Sequence, residues 1–315
     1  MKRHLVTLLG LSLAAALGAA GGCGSETAEP ALDPVEAVGQ AMNPSFTNHY
    51  YRVMADYRWC VVAPCTGYTL TRIDSVEPVH HVGTLDFGET GFDEGQIGAV
   101  TGAPPGGVVL YGTFTAPPNP GLPSTTFVVR RAFRGMPGVR APAGSAYYVV
   151  EDRDPPIECF AAPCDNEIAV PLETADTVAF TTLSVAPAAA MPSVDQTWLA
   201  DRVRHHGAVV AGHFRDGALT PSGAERVLEA DQVFVRLPDA TGVCLLPHHV
   251  CRDGLHAVYT RNVDRCLVFQ ACIRDTGVCQ VELPPRCAPG YTMSRWPADS
   301  PTCVGVACDP AFLAE

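Results

Sequence analysis

Tyr50-Tyr51-Arg52-Val53-Met54-Ala55-Asp56-Tyr57-Arg58-Trp59-Cys60-Val61-Val62-Ala63-Pro64-Cys65 is answered further along the chain by Tyr147-Tyr148 and then Cys159-Phe160-Ala161-Ala162-Pro163-Cys164. Two tyrosine pairs, each leading into a C-x4-C that ends in Ala-Pro-Cys, mark an internal duplication. The match continues with Val109-Leu110-Tyr111-Gly112-Thr113-Phe114 against Val209-Val210-Ala211-Gly212-His213-Phe214, and with Phe127-Val128-Val129-Arg130 against Val233-Phe234-Val235-Arg236. The offset widens along this series, as expected when loops absorb insertions while framework segments keep their order.

Each copy reads as β-structure. In Thr126 to Phe133, one face carries Phe127, Val129 and Phe133 and the other carries Val128 and Arg130, the alternation of a half-buried strand. Thr69 to Ile73, Val108 to Phe114 and Tyr147 to Val150 are further strand candidates. The 28 prolines and 29 glycines argue against long helices and for short strands joined by turns. A helix is expected in the second copy alone, where Ser193-Val194-Asp195-Gln196 has capping-box spacing ahead of Trp198, Leu199 and Val203. The first copy has the glycine-rich stretch Gly88 to Gly107 at that place. The expected fold is therefore all-β, with two tandem small domains, barrel-like or sandwich-like, over residues 46–143 and 144–240.

Thirteen cysteines set the rest of the plan. Met1-Lys2-Arg3-His4 followed by the apolar run Leu5 to Ala20 predicts a signal peptide over residues 1–22. That run is shorter than the roughly 20 residues needed to span a bilayer. Ala20-Gly21-Gly22-Cys23 resembles a lipobox, so Cys23 is the expected lipidation site, and residues 23–45, acidic and rich in alanine and proline, form the expected tether. Removing Cys23 leaves an even set of twelve. Cys60 with Cys65 and Cys159 with Cys164 read as disulfides across tight turns; a thiolate zinc site is disfavoured by export. Cys244, Cys251, Cys266, Cys272, Cys279, Cys287, Cys303 and Cys308 crowd residues 241–315 into a disulfide-rich module whose pairing the spacing leaves open. The expected location is the cell envelope, with Gly24 after the anchor favouring the outer membrane.

The pattern Tyr-Tyr-x-Val-x-x-Asp-Tyr-Arg-x-Cys-x4-Cys-x-Gly-Tyr from Tyr50 to Tyr68, the second C-x4-C, the Val-x-x-Gly segments and Phe127-Val128-Val129-Arg130-Arg131-Ala132-Phe133-Arg134 together resemble a domain of unknown function found in lipoproteins of myxobacteria. The resemblance covers residues 47 to about 240, most specifically in the cysteine spacing. Thr66 replaces the glycine that usually follows the second cysteine, and Asp74 replaces a strand-ending asparagine. The family carries no established catalytic residues, so the resemblance implies none.

The formal charge of -12 and the absence of a basic run exclude nucleic acid as an expected partner. Lys2 is the only lysine, which makes arginine the sole source of strong positive charge in the mature chain. No G-x-S-x-G, H-E-x-x-H, phosphate loop or dinucleotide fingerprint is present, and no cofactor is implied. His205, His206 and His213 are the alternative metal ligands, with His248, His249 and His256 repeating their spacing. Glu151-Asp152-Arg153-Asp154 with Glu158 reads as a solvated acidic turn, and Trp59, Trp198 and Trp296 read as core anchors. The expected role is a non-enzymatic structural or binding protein, held at the membrane by its lipid and facing a protein or glycan partner. A metal-dependent hydrolase using the histidines and an inhibitor or ligand trap built on the disulfide module are the alternatives.

Overall fold

The computed structural model describes residues 47–56, 67–115, 126–153, 167–174, 176–220, 223–239, 244, 249–274, 286–298 and 303–313. Cys23 and its tether, Trp59, Cys60, Cys65, Asp154, Glu158, Cys159, Cys164, His248 and Cys279 lie outside the described residues.

The first repeat runs β1 (His49–Asp56), β2 (Gly67–Arg72), β3 (His80–Val82), β4 (Thr84–Asp86), helix α1 (Glu94–Thr101), β5 (Val108–Phe114) and β6 (Thr126–Gly135). The second runs β7 (Ala146–Asp152), β8 (Glu167–Pro171), β9 (Val178–Phe180), β10 (Thr182–Ser184), helix α2 (Gln196–His205), β11 (Val209–Thr220) and β12 (Gly223–Leu237). Strand formation follows the alternation of side chains: in β1, Tyr51 and Val53 are buried while Arg52 and Met54 point to solvent. Within each repeat the pairing is the same, antiparallel except for the short fourth strand, which lies parallel to the last. The protein is all-β, and β6 pairs antiparallel with β12, so both repeats belong to one open sheet of order β3-β2-β1-β5-β6-β12-β11-β7-β8-β9.

The registers define the equivalence of the repeats and correct one part of the sequence alignment. Tyr111 faces Arg131 and Gly112 faces Val129, skipping Arg130; Ala211 faces Gln232 and Gly212 faces Ala230, skipping Asp231. The two bulges coincide, so Phe127 corresponds to Leu228, five residues from the Val233 suggested by the similar string. An odd slip would turn every side chain to the wrong face. In the observed register Phe127 and Leu228 both enter cores beneath the helices, and Phe133 and Phe234 both enter the core on the opposite face; the bulge at Arg130 thus separates Phe133 from Phe127 and Val129, which strict alternation places on one face. Gly112 and Gly212 are required at the bulges because a Cβ there would collide with the Val128 and Glu229 carbonyl oxygens.

The helix is shared by both copies, contrary to the expectation from the glycine-rich stretch. In α1, Asp93 accepts from Gln96 N at 2.8 Å and Gln96 Oε1 accepts from Asp93 N at 3.1 Å, a capping box that starts the helix despite Gly95 and Gly98. In α2 the N-cap is Asp195, which accepts from Trp198 N at 3.0 Å; Ser193 does not cap it. Each helix covers its own repeat's core, while a third core of Ile73, Val109, Phe133, Tyr147, Val209 and Phe234 draws on both repeats.

At the seam Arg134 lies opposite Val235, and these are equivalent positions, so an approximate two-fold axis passes between them. The symmetry recurs at the strand ends. Glu173, after β8, accepts from Tyr50 N at 3.1 Å and pairs with Arg72 at 2.8 Å in the first repeat, while Asp74, after β2, accepts from the Tyr147 backbone in the second. Each repeat thus lends a carboxylate to the other's first strand.

The C-terminal module contributes two hairpins, β13 (His256–Arg261) with β14 (Leu267–Ile273) and β15 (Tyr291–Pro297) with β16 (Val304–Pro310). The pairing left open by the sequence includes Cys244–Cys266, Cys251–Cys272 and Cys287–Cys308, and Cys303 is also disulfide-bonded. Tyr291 and Cys308 join the core under α2, and Phe312 and Leu313 pack against the cores of both repeats. No helix among the described residues is long and apolar enough to cross a membrane. Disulfides persist in oxidising compartments, and these fit an exported protein.

Candidate functional site

The shared core is the floor of a surface on which the two-fold symmetry is broken. Alternation along β6 places Arg131, Phe133 and Gly135 on this face, and alternation along β12 places Gln232, Phe234 and Arg236 there. Arg131 and Gln232 are equivalent, yet they act differently. Gln232 is buried, accepting from Ala141 N at 2.9 Å and donating to the Val139 carbonyl at 3.1 Å, which holds the linker between the repeats against the second repeat. Arg131 is exposed, its guanidinium 5.5 Å from the centre of the Tyr111 ring. The linker therefore covers one half of the symmetric face and leaves the other open.

The open half is built from aromatic rings and arginines. Tyr50 lies 4.7 Å from Tyr111 and 6.0 Å from Phe133 between ring centres. Burial pushes the Tyr50 phenol up; Arg131 pulls it the other way, Tyr111 and the nearby Glu173 add to the rise, and Arg236 opposes it. Arg236 is lowered by burial and by the like charge of Arg131, which places the two guanidiniums in one electrostatic neighbourhood. Arg52 reaches across the repeats to the Tyr147 hydroxyl at 3.5 Å. Among the described residues none of Arg52, Arg131 and Arg236 forms an ion pair with a carboxylate, whereas Arg72, Arg204 and Arg215 each do. Such a surface suits an anionic ligand that also offers a face to stack on tyrosine.

The histidines do not assemble. His205 Nδ1 lies 3.8 Å from Asp152, His206 Nε2 3.2 Å from Asp201 and His213 Nδ1 3.2 Å from Asp231, each imidazole against its own carboxylate. His249 stacks on Phe269 with ring centres 3.9 Å apart, and His256 opens β13. Among the described residues no three metal-ligating side chains stand close enough to hold an ion. Glu151 and Asp152 are exposed at the end of β7. Trp198, in the first turn of α2, is buried in the second repeat's core, and Trp296 lies 5.6 Å from the Arg261 guanidinium. No sequence motif marks Arg52, Arg131 and Arg236. The available signal was Arg131 breaking the apolar alternation of β6 beside a tyrosine-bearing strand, and it became legible only with the register.

No family model matches the chain, and no solved structure matches it. It is 27% identical to an uncharacterized protein of Dictyostelium discoideum over 275 residues, 84% of this chain and 88% of that one, a length that spans both repeats.

Proposed function

We propose that the chain is a non-enzymatic binding protein, exported and held at the cell envelope by lipid on Cys23, whose two repeats jointly present an anionic-ligand surface. The observation that carries the reading is the uncovered half of the shared face. Arg131 and Arg236 stand there beside Tyr50 and Tyr111, with Arg52 at the Tyr147 hydroxyl, and among the described residues none of the three pairs with a carboxylate, in a chain of net charge -12. Acidic glycans combine negative charge with stackable sugar rings and are the ligand class that this chemistry matches. The lipobox-like Ala20 to Cys23, the disulfides and the resemblance to myxobacterial lipoproteins support the location.

The test is titration of the intact chain with polygalacturonate and with neutral dextran at low and high salt. Polygalacturonate is expected to bind in a salt-sensitive manner and dextran not at all. The Arg131→Gln, Arg236→Gln double variant is expected to weaken that binding by at least about tenfold, the loss of two charge-assisted contacts. Equal binding of both polymers, or an unaffected double variant, would remove the basis of the proposal. Intact mass before and after reduction tests the anchor separately, through the acyl increment on Cys23.

A further inference from the structure

A second site lies at the seam, on the opposite side of β6. Arg134 sits on the approximate two-fold axis, and its counterpart Val235 is buried in the core under α2. The sheet therefore does not demand a charge at this position. Arg134 borders a cavity of about 720 Å³ walled by Pro104 and Gly107 of the first repeat, Met136 and Arg140 of the linker, and Phe312 of the C-terminal module. This volume is within the range of small-molecule pockets.

The lining contains two arginines and no aspartate or glutamate. Arg134 Nη1 donates to the Gly107 carbonyl at 3.0 Å and its guanidinium lies 5.5 Å from the Phe312 ring centre, which fixes the group in place. Its enclosed Nε has no acceptor, and no carboxylate pairs with it among the described residues. Burial lowers its pKa, the cost of keeping a cation there uncompensated. Apart from Gln232 and Arg140, the residues around it in the wall are apolar.

We infer that this cavity is a binding site for a small carboxylate on an apolar body, the carboxylate accepting from Arg134 and the body packing between Met136 and Phe312. The charge of the site matches the ligand, and the proline-rich walls are preorganised to take it with little loss of conformational freedom. Because three parts of the chain meet in the wall, occupancy would also brace the C-terminal module against the repeats.

Calorimetric titration of the intact, disulfide-bonded chain tests this with N-acetyl-L-phenylalanine and octanoate, which stand for a peptide terminus and a free acid. N-acetyl-L-phenylalaninamide is the neutral control. At least one of the two carboxylates is expected to bind, and the tighter of them identifies the source. The amide is expected to bind at least about tenfold more weakly than N-acetyl-L-phenylalanine if the peptide terminus is the source, as loss of a charged hydrogen bond requires. Arg134→Gln should abolish the carboxylate binding while leaving thermal unfolding in the absence of ligand cooperative, and Arg134→Lys should retain part of it. Absence of binding by both acids at millimolar concentration overturns the inference. So does a carboxylate affinity unchanged in Arg134→Gln. The two acids report on the unmodified chain, so they decide the matter even where a variant fails to fold.

Discussion

Tyr291 shows how one side chain couples distant segments and carries a pH dependence with it. Its hydroxyl donates to the Pro137 carbonyl at 3.0 Å, tying β15 to the linker between the repeats, and burial pushes its pKa up from 10.0 to about 12. The folded protein holds this proton more tightly than the unfolded chain does. The contribution is therefore intact below about pH 10 and is lost as pH rises through about 12. Tyr51, raised to about 12 mainly by burial, acts in the same window. Tyr291→Phe is expected to cost about 1 kcal/mol at neutral pH, the hydrogen bond alone, and to flatten the decline of stability between about pH 10 and 12. Denaturant unfolding across that range checks it; an unchanged alkaline slope would show that other groups govern the decline. Asp74 is informative at the same scale. It adopts a left-handed φ of 53°, a conformation that short polar side chains tolerate, and from there its carboxylate meets the second repeat's first strand. The sequence identified Asp74 only as a departure from a pattern, because its partner is contributed by the other repeat.

At the level of elements, α2 is held by a buried cation more than by its own propensity. Arg202 is fully buried, with Nε 2.6 Å from Asp239, Nη1 2.8 Å from Asp201 and Nη2 3.2 Å from Asp264. Arg265 joins Asp239 at 3.6 Å and lies 5.5 Å from the Trp198 ring, so the network binds the disulfide module to the helix. Arg202→Met would leave Asp239 short of its nearest cation, and a loss of about 3 to 5 kcal/mol is expected. Adding Asp239→Asn should recover part of that loss, a coupling that a double-mutant cycle measures. Independent, additive effects would place the stabilisation elsewhere. These contacts also explain what the sequence could convey about elements. Strand alternation and the Trp198, Leu199, Val203 spacing reveal β6 and α2 because both signals are local. The helix α1 is obscured by Gly95 and Gly98, and its capping box, Asp93 with Gln96, is short enough to pass unnoticed in a glycine-rich stretch. Disulfide pairing and the Arg202 network arise from residues far apart in the chain, and spacing carries no record of them.

For the whole molecule, duplication has produced a single sheet whose halves depend on each other. The repeat was legible from its tyrosine pairs and bulge glycines, but the β6–β12 seam was not, since an antiparallel seam about a two-fold axis leaves no pattern in either strand alone. Three features oppose independent folding. The seam would leave β6 and β12 as unpaired edges, the shared core would lose either Ile73, Val109 and Phe133 or Tyr147, Val209 and Phe234, and Glu173 and Asp74 would each lose the strand they cap. Residues 46–143 expressed alone, and residues 144–240 alone, are therefore expected to lack cooperative unfolding. The intact chain is expected to lose both repeats in one transition, because exposing the shared core on one side removes the packing of the other. Calorimetry of the three proteins makes the comparison. Two separate transitions in the intact chain, each reproduced by an isolated repeat, would mean that the seam joins domains already stable and that the joint arginine-tyrosine face is a consequence of docking and not of folding.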